Sequence, residues 1–409
     1  MATEQIQTLV VGGGQAGLAM SHMLKERGCE HLVLERHRIA ERWRSERWDG
    51  LRFQFPNWSV TLPNFPFQSA EPHAYASARE IADFIGAYAR FVMPPIRCGV
   101  NVQRLRCRDA SAGFVAKTSQ GEIAARNVVV ATGPYQRPSQ PSFLPEKVDL
   151  LQIHASSYRN PAQLPSGAVL IIGGGASGAQ IAEELVHAGR TVYLSIGKHR
   201  RLPRRYRGRD LIWWMSALGL DRVPAENRGE HNSLPLISGA FGGNTIDFRQ
   251  FAAMGVILLG RLVSVSGRVF EFAPDLAKNI ADGDMSLMMF LDMVDAHINC
   301  HNMLAPDEPS AREMLPDPPN LATATKRLDL RTEGISTIIS ATGYAYDFGW
   351  IDAPLVLDQR SRPIHRMGIT DLPGFYFVGL QWLSTVRSSL LSGVGEDAQR
   401  LADHIKARG

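Results

Sequence analysis

Nowhere in the 409 residues do about 18 consecutive apolar side chains occur, so no helix of membrane-spanning length is expected. Cysteine is scarce. Cys29, Cys98, Cys107 and Cys300 contain no C-x-x-C pair, which argues against a disulfide framework, a zinc knuckle and a redox-active dithiol. No metal site is expected. Charge of either sign is not in excess: the formal net charge is +4, giving no reason to expect a nucleic-acid or membrane partner. The start of the chain runs from Met1 into Val10-Val11-Gly12 without a basic leader or a long apolar segment, and the cytoplasm is the expected compartment.

What is present is core-forming material, 44% hydrophobic against 21% charged, in a chain longer than one compact core supports. Two domains are expected. The strongest pattern is a strand, a glycine turn and a helix, which occurs twice. The first copy is Leu9-Val10-Val11 followed by Gly12-Gly13-Gly14-Gln15-Ala16-Gly17. Gly12 serves the tight turn, Gly14 lets a pyrophosphate approach the backbone, and Gly17 allows close packing of helix on strand. A second strand, His31-Leu32-Val33-Leu34, ends in Glu35. That carboxylate accepts the hydroxyls of an adenosine ribose and repels a 2′-phosphate, as suits FAD.

The second copy is Val169-Leu170-Ile171-Ile172 followed by Gly173-Gly174-Gly175-Ala176-Ser177-Gly178. Its next strand ends in Ser195 rather than an acid, and Lys198, His199, Arg200 and Arg201 follow. Loss of the acid and gain of guanidinium groups is what a 2′-phosphate requires, so NADPH is expected, with Arg200 and Arg201 on the phosphate. The basic run continues through Arg204, Arg205, Arg207 and Arg209, more charge than one phosphate needs, and about half of it is expected to be solvated loop.

Between the copies, Ser77 to Phe91 reads as an amphipathic helix and Arg97 to Val130 as short strands with a turn at Gln120-Gly121. Ala131-Thr132-Gly133 recurs as Ala341-Thr342-Gly343, each after a β-branched run. The doubling implies that the chain crosses between domains twice. The expected class is therefore α/β with two dinucleotide-binding, Rossmann-type domains, the NADPH domain inserted into the FAD domain. The expected spans are 1–165 and 336–409 for FAD and 166–335 for NADPH, with a helical insertion around 219–330. There, Met285, Met288, Met289 and Met293 at helical spacing are expected in a core, with a substrate-facing wall as the alternative. His154 is expected to be a satisfied structural histidine, and Trp213 with Trp214 to brace the NADPH domain.

The chain resembles the class B flavoprotein monooxygenases: flavin-containing monooxygenases, N-hydroxylases, Baeyer–Villiger enzymes and indole-3-pyruvate monooxygenases. The likeness spans nearly the whole length. It rests on both fingerprints, Arg42-Trp43 before Trp48, Leu51-Arg52-Phe53-Gln54-Phe55-Pro56, both Ala-Thr-Gly elements, Gly374 to Gly379, and Gly393 to Ala398. The family's F-x-G-x-x-x-H-x-x-x-Y/F sequence is half present: His154 and Tyr158 match, while Val148 and Leu150 replace Phe and Gly. The flavin-facing Asn of the family aligns with Gln54.

The resemblance implies that NADPH reduces FAD and that a C4a-(hydro)peroxyflavin passes one oxygen of O2 to a small organic substrate. It implies catalytic contacts from Gln54 and Gln381. It also adds Arg36, Arg42, Trp43, Thr132 and Gly133, with Ala341, Thr342 and Gly343, to the cofactor residues, and suggests a homodimer. The alternative is an NAD(P)H-dependent flavin reductase or dehydrogenase without oxygen transfer.

Overall fold

The structure is a computed structural model and describes residues 3–108, 113–144, 149–228, 235–319, 321 and 325–408. The position of Val148 in the family sequence lies outside the described residues. In chain order the first sheet uses β1 (Glu4–Val11), β2 (His31–Glu35), β3 (Ile96–Cys98), β4 (Val102–Cys107), β5 (Phe114–Thr118) and β6 (Gly121–Val130). The second uses β7 (Leu151–His154), β8 (Ala168–Ile172), β9 (Val192–Ser195), β10 (Ile257–Leu259) and β11 (Ile335–Ser340). The chain then returns to the first sheet with β12 (Ile351–Asp352) and β13 (Phe375–Phe377).

The first sheet runs β12-β4-β5-β6-β1-β2-β3, with β13 on the far half of β6. Its nucleotide-binding part is parallel: Val11 pairs with Leu34 on one side and Val130 on the other. Both faces are buried, so apolar residues alternate between two cores instead of between core and water. Val10, Val33, Val129 and Tyr376 enter one core, while Leu9, Leu32, Val128, Val130 and Phe377 enter the other. On the first face lie α1 (Gln15–Glu26), α2 (Ala78–Val92) and the last helix of the chain, Val394–Ala407. The start of α2 is set by Ser77, whose side chain accepts the Glu80 N–H while Glu80 reaches back, a capping box.

The second sheet, β7-β11-β8-β9-β10, is parallel throughout and repeats the arrangement. The helix α3 (Ala176–His187) covers one face. A three-stranded antiparallel sheet, Leu262–Ser266, Val269–Phe272 and Arg327–Asp329, packs on the other.

The domain spans need a correction. β7 and β11 belong to the second sheet, so the boundaries expected at 165/166 and 335/336 fall instead in the two crossings, near 131–150 and 341–350. Each crossing starts at an Ala-Thr-Gly, and the two pair as an antiparallel ribbon, Tyr344 with Pro138 and Ala345 with Arg137. Topology thus puts the second domain inside the first.

The helix α4 (Leu276–Cys300) corrects the methionine expectation. Leu287, Phe290, Leu291 and Val294 face inward, and Met288 is packed against the same cluster. Met285, Met289 and Met293 are 59%, 60% and 40% exposed. Their four-residue spacing puts them together on the opposite face.

Candidate functional site: two nucleotide cradles on one cavity

Each glycine of the first turn meets a distinct steric demand. Gly12 has φ +113°, and a Cβ there would stand 2.7 Å from the Ala131 carbonyl oxygen. At Gly17 a Cβ would overlap the Gly12 carbonyl, whereas at Gly14 it would meet no atom within 4 Å. The open glycine lies at the helix start and borders a cavity of about 890 Å³, where backbone N–H groups and the helix dipole favour an anion. The second turn reproduces this: a Cβ at Gly173 would stand 2.5 Å from the Ala341 carbonyl oxygen, one at Gly178 would overlap the Gly173 carbonyl, and Gly175 is open. Each Ala-Thr-Gly is therefore the lid of its own glycine turn. Ala131 and Ala341 donate to the carbonyls of Val11 and Ile172, each at 2.8 Å.

In the first cradle, the Glu35 carboxylate accepts the N–H of Gly13 at 2.7 Å and of His37 at 2.9 Å. These bonds aim it at the cavity edge beside the exposed Arg36. Arg42 pairs with Glu46 at 2.7 Å and donates to the Gln136 carbonyl at 3.1 Å. Trp43 meets Phe53 edge-on and lies under Arg47. Gln136 donates to the Thr132 hydroxyl and the Gly133 carbonyl, holding that crossing in shape. Gln15 donates to the Ser389 carbonyl at 2.8 Å, and Ala16 packs so closely that Gly379 has no room for a Cβ.

In the second cradle, Ser177 is exposed at the turn, and Lys198, His199 and Arg200 line the cavity. Burial pushes the Arg200 guanidinium below its ordinary value, and it forms no ion pair among the described residues. Two expected ligands are corrected. Ser195 is 3% exposed; its hydroxyl donates to the Gly260 carbonyl at 2.9 Å and accepts the Leu262 N–H, tying β9 to the strand beyond β10. Arg201 is held by Asp247 at 2.6 Å and Asp284 at 2.9 Å, and Asp284 is shared with Arg249 at 2.7 Å. Its two terminal nitrogens are thus taken by carboxylates, its Nε is buried, and Arg201 does not border the cavity.

Where the cradles meet, Gln54 and Gln381 both line the cavity. Gln54 Nε2 donates to the Ile237 carbonyl at 3.0 Å, so that amide spans the domains and keeps Oε1 for another partner. Gln381, largely exposed, approaches the Tyr135 hydroxyl at 3.4 Å. His154 Nδ1 accepts the Ser156 N–H at 3.1 Å, which leaves Nε2 protonated to donate to the Gly343 carbonyl at 3.1 Å. Burial holds this imidazole below its usual range. It is neutral and satisfied, and it supports the second Ala-Thr-Gly from below, stacked edge-on against Tyr344.

Two further residues were not singled out from sequence. Ser389 Oγ and Gln180 Oε1 are buried, have no hydrogen-bond partner among the described residues, and border the cavity. A buried acceptor without a partner is costly, so both fit a site completed by a polar ligand. Gln180 follows Gly178 by two residues on α3, a spacing that could have marked it. Ser389 precedes the last helix with no local signature.

Two glycine cradles, each with its own Ala-Thr-Gly lid, opening on one aromatic-lined cavity define an oxidoreductase that brings two dinucleotides together. A family model for pyridine nucleotide-disulphide oxidoreductases matches residues 9–221. An oxidoreductase from Geobacillus kaustophilus, named as CzcO-like and uncharacterized, is 32% identical over 403 residues, 98% of each chain. The probable indole-3-pyruvate monooxygenase YUCCA1 of Arabidopsis thaliana is 32% identical over 197 residues, 46% of each chain. Among solved structures, a flavin-containing monooxygenase from Stenotrophomonas maltophilia matches with a TM-score of 0.68 at 18% identity, over 99% of both chains. The chain belongs to the pyridine nucleotide-disulphide oxidoreductase family.

Proposed function

We propose that the protein is an FAD-dependent monooxygenase that uses NADPH and O2 to place one oxygen atom in a small organic substrate. FAD belongs to the first cradle, where Glu35 suits a free ribose diol, and NADPH to the second, where Arg200 and Lys198 suit a 2′-phosphate. The observation that carries this reading is that both open glycines, Gly14 and Gly175, and the Gln54 side chain border the same 890 Å³ cavity.

Bound there, the flavin and nicotinamide supply hydride transfer and oxygen activation. The chain's own part is placement and exclusion. Gly12, Gly14 and Gly17 seat one pyrophosphate, and Gly173, Gly175 and Gly178 the other. Trp48, Phe53 and Phe55 border the junction with apolar surface, which limits water. The free Oε1 of Gln54 and the carboxamide of Gln381 provide the hydrogen-bonding groups there.

The purified, FAD-loaded protein should consume NADPH and O2 together when offered a substrate from a panel of amines, thioethers, carbonyl compounds and α-keto acids. The product should gain one oxygen by mass. NADPH oxidation that always returns peroxide without such a product, across the panel, would favour a flavin reductase instead.

A further inference from the structure

We propose that Arg204 is a positioning residue that latches the two cofactor domains in one relative orientation, so that the nicotinamide meets the flavin without a domain rotation. The inference rests on the two-cofactor reading above. Arg204 lies in the second domain and is 3% exposed. Its Nε and Nη2 both donate to Asp210 Oδ2, at 3.0 and 2.7 Å. Within the same domain the pair is anchored at each end: the Arg204 N–H donates to Thr245 Oγ1 at 2.8 Å, and Asp210 Oδ1 accepts the Ile212 N–H at 2.9 Å.

The flavin domain closes the cluster. Arg204 Nη1 donates to the Gln54 carbonyl at 2.6 Å, and the Tyr75 ring lies 4.5 Å from the guanidinium carbon while its hydroxyl donates to Asp210 Oδ2 at 3.2 Å. Glycines permit this approach. A Cβ at Gly239 would overlap the Phe53 carbonyl, and one at Gly243 would overlap the Tyr75 ring. Gln54 is thus gripped twice from the second domain, through its carbonyl by Arg204 and through its amide by Ile237.

Turning the domains apart would strip a buried guanidinium of a hydrogen-bond acceptor and an aromatic face, and uncover a charge that water does not reach here. Rotation is also unnecessary, because both cradles already open on one cavity. The latch has support at a distance: Asp49 N–H donates to the Arg159 carbonyl at 2.8 Å, and Ala225 N–H to the Ser384 carbonyl at 2.8 Å.

Two exposed cysteines, Cys98 in β3 and Cys300 at the end of α4, place one label site in each domain. Spin labels on them, in FAD-loaded protein carrying Cys107→Ser, should give one narrow distance peak that NADP+ does not move. Arg204→Met should broaden the peak, and Arg204→Lys should restore it in part. A wild-type peak that splits or moves on adding NADP+, or an Arg204→Met peak identical to wild type, would overturn the latch. Tyr75→Phe keeps the ion pair and serves if Arg204→Met does not fold; it should also broaden the peak, and an unchanged peak would count against the proposal. In anaerobic rapid mixing, Arg204→Met should slow flavin bleaching by NADPH about 10-fold or more at an unchanged half-saturating NADPH concentration. Failure of wild type to bleach with NADPH would reject the cofactor reading, while the label distances judge the latch by themselves.

Discussion

Arg200 and Arg201 are neighbours in the chain and face opposite ways: Arg200 lines the nucleotide cavity without an ion pair among the described residues, and Arg201 is locked between Asp247 and Asp284. Arg200→Ala should therefore raise the KM for NADPH about 10- to 100-fold, the loss expected for a charged hydrogen bond of roughly 1.5–3 kcal/mol, and change the KM for NADH little. Arg201→Ala should instead leave the NADPH-to-NADH preference alone and lower folding stability by about 3–5 kcal/mol, because the buried Asp247 carboxylate loses its cation while Asp284 keeps only Arg249. Steady-state kinetics with both nucleotides and denaturant melts separate the two. Equal KM changes for NADPH and NADH in Arg200→Ala would remove it from the phosphate.

The glycines make a sharper pair. A methyl group at Gly14 meets no protein atom within 4 Å, whereas at Gly17 it overlaps the Gly12 carbonyl. Gly14→Ala should fold and bind FAD weakly, since only the pyrophosphate needs that space. Gly17→Ala should fail to fold or melt far lower. The test is flavin content against thermal midpoint; a Gly14→Ala protein with full flavin would show that the pyrophosphate lies elsewhere.

Gln54→Ala keeps every contact of the first glycine turn and removes the carboxamide at the junction. FAD content should stay at the wild-type level, while the fraction of NADPH ending as hydrogen peroxide rises. Measured coupling with a true substrate that does not change would reject a role for the side chain at the reacting centre.

Acid should destabilise the fold through its buried imidazoles. Burial holds His31, His154, His199 and His365 below their ordinary value. Between that depressed value and the ordinary one of about 6.5, the unfolded chain binds protons that the folded one does not, so stability rises with pH there and is lost as pH falls. The melting temperature should be flat on this account above pH ~7 and decline below ~6.5. His154→Gln should reduce the acid-side slope, as read by melts across pH; an unchanged slope would show that His154 contributes none of it.

The class of fold was legible because its demands are local. Gly12, Gly14 and Gly17 fall within six residues; Gly12 and Gly17 are required by an atom of the Ala-Thr-Gly that covers the turn and of the turn itself, and Gly14 leaves the space at the helix start open. Glu35 was legible for a similar reason: the end of β2 lies beside the turn, and the acid bonds to Gly13. Ser195 occupies the matching place at the end of β9 but turns inward to Gly260 and Leu262, which no property of residues 192–201 foretells. The outward face of Met285, Met289 and Met293 was missed because helical spacing shows that they share a side, not which side the core takes.

By itself the sequence determined two glycine turns between strand and helix and an insertion of one domain in the other, since backbone sterics within a turn and β-strand periodicity are decided by near neighbours. Only the tertiary structure decided which arginine meets the cavity, where the domain crossings fall, and that Arg204 reaches Gln54 across the junction. Those outcomes depend on partners such as Asp247, Asp284 and Tyr75, tens of residues or more away along the chain, and a side chain's direction follows the lowest-energy set of such partners and not its own identity.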